Sequence, residues 1–525
     1  VLIRWLESIG KTPEQCASML QTSQASTNAT GMMMKSVTRT SAAIRGTTTT
    51  AKQVPHTLTR RTPADTMGRV AVLPLRFRGR SEHDFLGEAL AESIVDLLGR
   101  THGVEVASSS ASARFREDRD PAAVAAALGV AYVVDGTVQV ARDQARVSVR
   151  LSEVSGGTQL WSGRYSGSLE DPFELQDRLA QQIGEALRVE LLAASYRELA
   201  DEETLELCRD IRARGLTASG PLFDAAIGGL ERAVERYPSF APALPLLALL
   251  TLRGWFTHSD TGSVAWGARA RAAVERAVRE AADFPETRLA EAMLAVQEGR
   301  FRDAVIALRR VLGAAPAFPS AIQYLGSMQC EAGQASEGLR RLRLALELSP
   351  EQSPGLFEMA RCSALRGDMK GFSDALERLR ELVPTRGPVQ LLEVRVAAWR
   401  RDRAEIERVI AGAEREPGPI MQAILGYGRA VLGLQAPPTA MIDALLERSI
   451  NPRFASMLCQ IICEALCLVG EPERGLAYFL RAADSVLIDL EWADACPALD
   501  EMRALPGFDA GRRKVRERVD DLWGV

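Results

Sequence analysis

The stretch Ile322–Pro350, IQYLGSMQCEAGQASEGLRRLRLALELSP, decides how the whole chain is read. Four landmarks in it recur 34 residues to either side. The small residues are Ala292, Gly326 and Ala360, and the glycines are Gly299, Gly333 and Gly367. The large apolar positions are Leu308, Leu342 and Leu376, and the closing prolines are Pro316, Pro350 and Pro384. This spacing predicts two amphipathic helices per unit, joined at the glycine. The proline ends the second helix because it lacks an N–H to continue the ladder. A single hairpin of this kind cannot cover its own apolar face, so the units must stack into an all-α solenoid.

A 34-residue period with these landmarks resembles the tetratricopeptide repeat. Outward from the clean core, Pro238, Pro285, Pro417 and Pro452 are expected to close further second helices, giving about eight pairs between Asp201 and Ser485. The long gap from Pro238 to Pro285 implies either an insertion at Thr257–Gly262 or a long helix over Val264–Ala282. In tetratricopeptide arrays the first helix of each pair lines the concave surface. The resemblance therefore places Leu289 and Met293, Gln323 and Ser327, and Phe357 and Arg361 on a peptide-binding groove. That mixture suits an extended or helical protein segment with a few apolar anchors. Asparagine occurs only as Asn28 and Asn451, which separates the groove from the subset that clamps carboxylates with Lys and Asn.

Ahead of the array, residues 69–195 read as a small α/β domain. Arg69–Leu75 is a short buried strand, Asp84–Gly99 an amphipathic helix, and Val104–Val106 a second strand. Asp120 caps a helix to Leu128, and Ala131–Val140 is a further strand. Ala145, Val147, Val149 and Leu151 alternate with polar residues, so one face of their strand is packed and the other wet. Asp135–Gly136, mid-strand, is expected to mark a bulge or a close backbone approach. Phe173–Leu192 closes the domain as a helix. Phe85-Leu-Gly87, Tyr132–Val138, Leu160-Trp-Ser162, Tyr165 and Leu169–Asp177 follow one another in the order of the TolB-like N-terminal domain, which this region resembles. The resemblance implies a bacterial signalling protein. In such proteins this domain and its repeats sit behind an adenylate/guanylate cyclase, a winged-helix DNA-binding domain or a Ser/Thr kinase.

The chain is 525 residues long, 46% hydrophobic and 25% charged, with net charge −4 and a pI near 5.9. Those totals fit a multidomain protein without a global basic field, so neither nucleic acid nor membrane is an expected partner, and a protein or peptide is. The longest apolar run, near Pro242–Leu252, is too short to span a bilayer. Eight scattered cysteines fit a reducing cytoplasm. Residues 1–68 read as a Ser/Thr/Arg-rich linker, with a short helix expected within 1–20. Residues 200–490 form the repeat array, and 491–525 a capping segment ending in a charged helix over Gly511–Trp523.

No phosphate-binding loop, nucleophile elbow, zinc-protease or kinase motif is present, so no catalytic residue, cofactor or metal is expected. Cys459, Cys463 and Cys467 share one helix face and read as core rather than as metal ligands. Arg340, Arg341 and Arg343 read as a solvated outer face. The reading is a non-catalytic signalling scaffold, its oligomeric state left open. The alternative is the regulatory portion of a cyclase, kinase or transcriptional regulator without its output domain.

Overall fold

In the computed structural model, residues 69–101, 104–213, 221–257, 259–350, 352–382, 387–413, 419–448 and 450–524 are described. The linker and the short helix expected in 1–68 lie outside them, as do His56, His102, His258, Pro384 and Pro417. No described helix is long and apolar enough to cross a membrane.

The N-terminal part is a five-stranded mixed sheet. Strands β1 (Val70–Val72) and β2 (Arg76–Arg78) both run parallel to β3 (Tyr132–Ala141). Antiparallel pairings then join β3 to β4 (Gln144–Glu153) and β4 to β5 (Thr158–Ser168). Helices α1 (Phe85–Gly99), α2 (Ser109–Ala113) and α3 (Pro121–Leu128) connect β2 to β3, and α4 (Pro172–Ser195) follows β5. The period of two in β4 sends Val147, Val149 and Leu151 to one face. There they meet Leu90 and Ile94 of α1 and Leu179 and Ile183 of α4. One expectation needs correcting and one is narrowed. Val104–Val106 is not a strand, because only Val106 bridges to Val70. The bulge falls at Leu151/Ser152 rather than at Asp135–Gly136, where pairing is regular. What Gly136 supplies is the close approach: a Cβ there would collide with the Ser148 carbonyl oxygen.

Eight successive helix pairs follow among the described residues. They are α5 (Glu202–Ala213) and α6 (Pro221–Arg236), α7 (Ala243–Thr257) and α8 (Ser259–Glu280), α9 (Pro285–Gln297) and α10 (Phe301–Ala314), and α11 (Pro319–Glu331) and α12 (Ala335–Leu348). After these come α13 (Ser353–Leu365) and α14 (Met369–Leu382), α15 (Gly387–Trp399) and α16 (Arg403–Ala413), α17 (Pro419–Val431) and α18 (Thr439–Leu446), and α19 (Pro452–Leu468) and α20 (Pro472–Ala483). The long gap is resolved by α8, a 22-residue helix. Pro285 and Pro452 open α9 and α19 at their first turns instead of closing the preceding helices. A proline costs nothing there, since those N–H groups have no partner within the helix.

The turns between paired helices share one construction. Gly299, Gly333 and Gly367 hold φ of 79°, 76° and 76°. The next residue returns a hydrogen bond five positions back: Arg300 N to Ala295 O, Gln334 N to Gln329 O, and Asp368 N to Ser363 O. This Schellman closure satisfies carbonyls that the helix end leaves open. It recurs from Asp402 N to Ala397 O, Leu434 N to Arg429 O, and Glu471 N to Leu466 O. At the fourth place in the series, 34 residues after Gly367, the left-handed residue is Arg401, with φ of 56°.

The sheet portion is tied to the array by buried charge. Arg188 of α4, held by Glu185 at 2.8 Å, lies 3.9 Å from Glu286 of α9, to which Arg212 of α5 donates at 3.0 Å. Burial works against the Glu286 carboxylate, yet Arg188 and Arg212 together hold it below the ordinary carboxylate range.

Candidate functional site

The first helices of successive pairs present one stripe each to the inner side of the array. On α9, Leu289, Met293 and Val296 fall at helical spacing along one stripe. With Tyr324 and Met328 of α11, Phe256 of α7 and Pro354 of α13, they enclose a mostly apolar cavity of about 400 Å³. Gln323 and Ser327 also line it, and the Gln323 Nε2 donates to the Ser327 Oγ at 2.9 Å. Four of the six groove positions expected from the repeat phase therefore stand around one cavity. Burial lifts the Tyr324 hydroxyl well above the ordinary tyrosine range, so it stays a neutral donor. Burial also pulls the Arg253 guanidinium, on the α7 wall, down to about 10.

The cavity wall contains residues that repeat phase alone did not reveal. Arg453 of α19 reaches in, pairing with Glu331 at 2.6 Å and donating to the Val486 carbonyl at 3.3 Å. Asn451 caps α19 and donates through Nδ2 to the Gln297 Oε1 at 2.6 Å, while Gln297 Nε2 donates to the Leu252 carbonyl. The Asn451–Pro452 pair carried a legible helix-start signal. Nothing periodic said that this start would lie against α9.

Phe357 and Arg361, the remaining two expected groove positions, do not join the cavity. Arg361 is buried, bidentate to Glu358 at 3.0 and 2.7 Å and bonded to Asp489 at 2.8 Å. Phe357 is half-buried and packs against the array's own core. Asp489 caps the short helix α21 (Leu490–Ala495), which packs against α11 and α13, and Arg366 pairs with Glu491 at 3.1 Å. This corrects the expectation that Arg361 stands on an open groove. The start of the segment expected to cap the array packs against α11 and α13 beside Arg361.

That packing is anchored deeply. Glu464 of α19 has no exposed side-chain surface and accepts from five donors. These are Arg395 Nη2 at 2.5 Å, Arg395 Nε at 3.1 Å, Trp399 Nε1 at 3.0 Å, Tyr427 Oη at 3.2 Å and Trp492 Nε1 at 2.7 Å. Burial disfavours the Arg395 cation, but the facing Glu464 more than offsets this and raises its pKa. The last helix, α22 (Phe508–Trp523), packs on α20 and also on α10, where Arg302 meets Asp521 at 3.5 Å.

The other singled-out residues have structural roles. Asp135 accepts from Arg119 at 2.6 Å and Arg150 at 2.9 Å, and Asp171 accepts from the Phe173 and Glu174 amides at the start of α4. Cys459, Cys463 and Cys467 are buried, and the Cys463 sulfur lies 3.6 Å from that of Met502. Among the described residues no three His, Cys, Asp or Glu side chains converge to hold a metal ion. Arg340 and Arg341 both pair with Glu337 on α12, at 2.5 and 2.7 Å.

No family model matches this chain. A Rhizobium meliloti (strain 1021) protein, named as an unproven adenylate cyclase (adenylate cyclase 3), is 30% identical over 190 residues. That match takes in 35% of this chain and 32% of the relative, so the chain spans about a third of that protein's length. The crystal structure of the tetratricopeptide (TPR) domain of P58(IPK) aligns with 61% of this chain and 98% of its own, at 14% identity. Its TM-score is 0.20, too low to bear on the fold.

Proposed function

We propose that this chain is a non-catalytic signalling scaffold that takes an apolar anchor of a protein partner into the cavity between α7, α9, α11 and α13. The observation that carries the reading is the cavity itself. Its apolar wall (Leu289, Met293, Val296, Met328) is bordered by amides and hydroxyls at Gln323, Ser327 and Ser320. Apolar walls supply affinity and a few placed polar groups supply orientation, the usual division in concave sites. Methionine at two wall positions lets the site adapt to anchors of different shape. The tetratricopeptide resemblance of the hairpins and the TolB-like resemblance of residues 69–195 support placing the chain among bacterial cytoplasmic signalling proteins.

The test is selection of peptides from a displayed random library on the whole chain, repeated with Met293→Trp, which fills the cavity. The reading expects peptides with an apolar anchor to be enriched on the parent chain and to be lost on the variant at unchanged melting temperature. Peptides held equally by both chains would refute it.

A second reading is favoured by the adenylate cyclase relative. In it, the same scaffold is the regulatory portion of a nucleotide cyclase, and the partner segment belongs to, or controls, the catalytic domain. Sequencing the gene upstream of the Val1 codon tests this. A continuous reading frame encoding a cyclase domain supports it, and a stop codon in frame sinks it.

A further inference from the structure

The sheet face turned away from α1 and α4 is covered by α3 at its Ala71 and Val133 end, and beyond that end it carries a second surface with different chemistry. Register places Asp135, Arg150 and Ser162 in one cross-strand row. Arg76, Thr137, Ser148 and Arg164 form the next, and Arg78, Gln139, Arg146 and Ser166 the third. Arg76, Arg78, Arg146, Arg150 and Arg164 are all exposed. Asp135 is the one acid in these rows, and it already binds Arg119 and Arg150. Among the described residues Arg76, Arg78, Arg146 and Arg164 make no ion pair, so four guanidiniums stand unneutralised on one flat face.

We infer that this face binds the phosphate backbone of duplex nucleic acid without regard to sequence. The chain's net charge of −4 argued against such a partner, but the relevant field is local. Alternate residues along a strand lie about 6.7 Å apart and neighbouring strands about 4.8 Å, so Arg78 and Arg146, flanking Gln139, sit roughly 10 Å apart. Guanidinium forks match phosphate oxygens bidentately. The interleaved Thr137, Ser148, Ser162 and Ser166 hydroxyls add further positioning contacts to phosphate. The composition of the face separates this occupant from others. A protein partner needs an apolar centre to bury, and these three rows contain no apolar residue. Single strands are held by stacking on aromatics, but Trp161 and Tyr165 of β5 point the other way, into the packed face. An anionic membrane surface would draw the same cations, but no apolar side chain here enters the headgroup layer to add to that attraction.

The test is anisotropy of a labelled 20-base-pair duplex with the full chain at 50 and 200 mM salt. It is run in parallel with poly-L-glutamate and with phosphatidylserine vesicles. Four released counterions correspond to a slope of about −3.6 in log K against log salt, or a loss of roughly 100-fold across that range. The double variant Arg146→Ser/Arg164→Ser should halve the slope while its melting temperature holds. Two duplexes of unrelated sequence should bind alike, and the cavity variant Met293→Trp should bind as the parent does. Absence of duplex binding at 50 mM salt, an unchanged slope in the double variant, or preference for polyglutamate or vesicles over duplex would overturn the assignment.

Discussion

The two halves of the array's inner face share one repeat phase and have opposite fates. Positions 293, 327, 361 and 395 are equivalent at 34-residue steps, and they hold Met293, Ser327, Arg361 and Arg395. The first two line an open cavity. The last two are buried cations whose partners, Asp489 and Glu464, come from the chain's own C-terminal hairpin and tail. A buried charge requires a fixed counter-charge, so this half must be completed in cis. Met293 and Ser327 carry no such requirement, and the Arg453–Glu331 pair at the cavity's border is already matched, which leaves room for a partner in trans. At this one repeat position, a buried cation marks the self-occupied stretch and an uncharged residue the open one.

The comparison is broken most severely at its anchor. Glu464→Ala leaves Arg395 buried without a counter-charge and should cost about 3–5 kcal/mol, read as a lower urea midpoint. A loss under about 1 kcal/mol would mean that α21 does not depend on this carboxylate. Next, Leu342→Ala removes a fully buried side chain and should cost about 2–5 kcal/mol. Gln323→Ala loses one side-chain bond to Ser327 and should cost about 1 kcal/mol or less while weakening partner binding. Equal destabilisation by the two would show that the faces are wrongly assigned.

A smaller effect sharpens the contrast through pH. Burial pushes the Glu358 carboxyl from 4.5 up to about 7, with Arg361 opposing it. A raised folded-state pKa means that the folded chain holds a proton the unfolded chain releases. The stabilisation is present below about pH 4.5 and is lost as pH rises through about 7. Stability measured between those limits should fall with pH, and Glu358→Gln should flatten that part of the profile. The smallest effect is at Arg401, where a side chain occupies a left-handed turn that the sister hairpins give to glycine. Arg401→Gly should raise stability by roughly 1 kcal/mol by removing the Cβ clash.

Much of the fold was legible because it is periodic. Gly299, Gly333, Gly367 and their prolines announce hairpins through backbone requirements that few residues meet. Arg401 broke the glycine series and hid the fourth turn, which only its Schellman bond reveals. Pro285 and Pro452 misled because proline both follows one helix and opens the next. At the cavity, repeat phase read with the tetratricopeptide resemblance pointed to Leu289 and Met293, which line it. The burial of Arg361 could not be read this way, since Arg361 and Asp489 are 128 residues apart and no local pattern links them. On the sheet, the alternation in β4 showed one wet face, but the basic field appears only when register aligns Arg78 and Arg146 across Gln139.

Maleimide labelling of the folded Ser327→Cys variant tests the division of the inner face most directly. Cys459, Cys463, Cys467 and Cys496, all buried in the self-occupied half, serve as internal references. The account predicts rapid modification at position 327 while those four thiols stay protected until the chain unfolds. Protection at 327 equal to theirs, or ready labelling of Cys463 or Cys496 in the native protein, would contradict it.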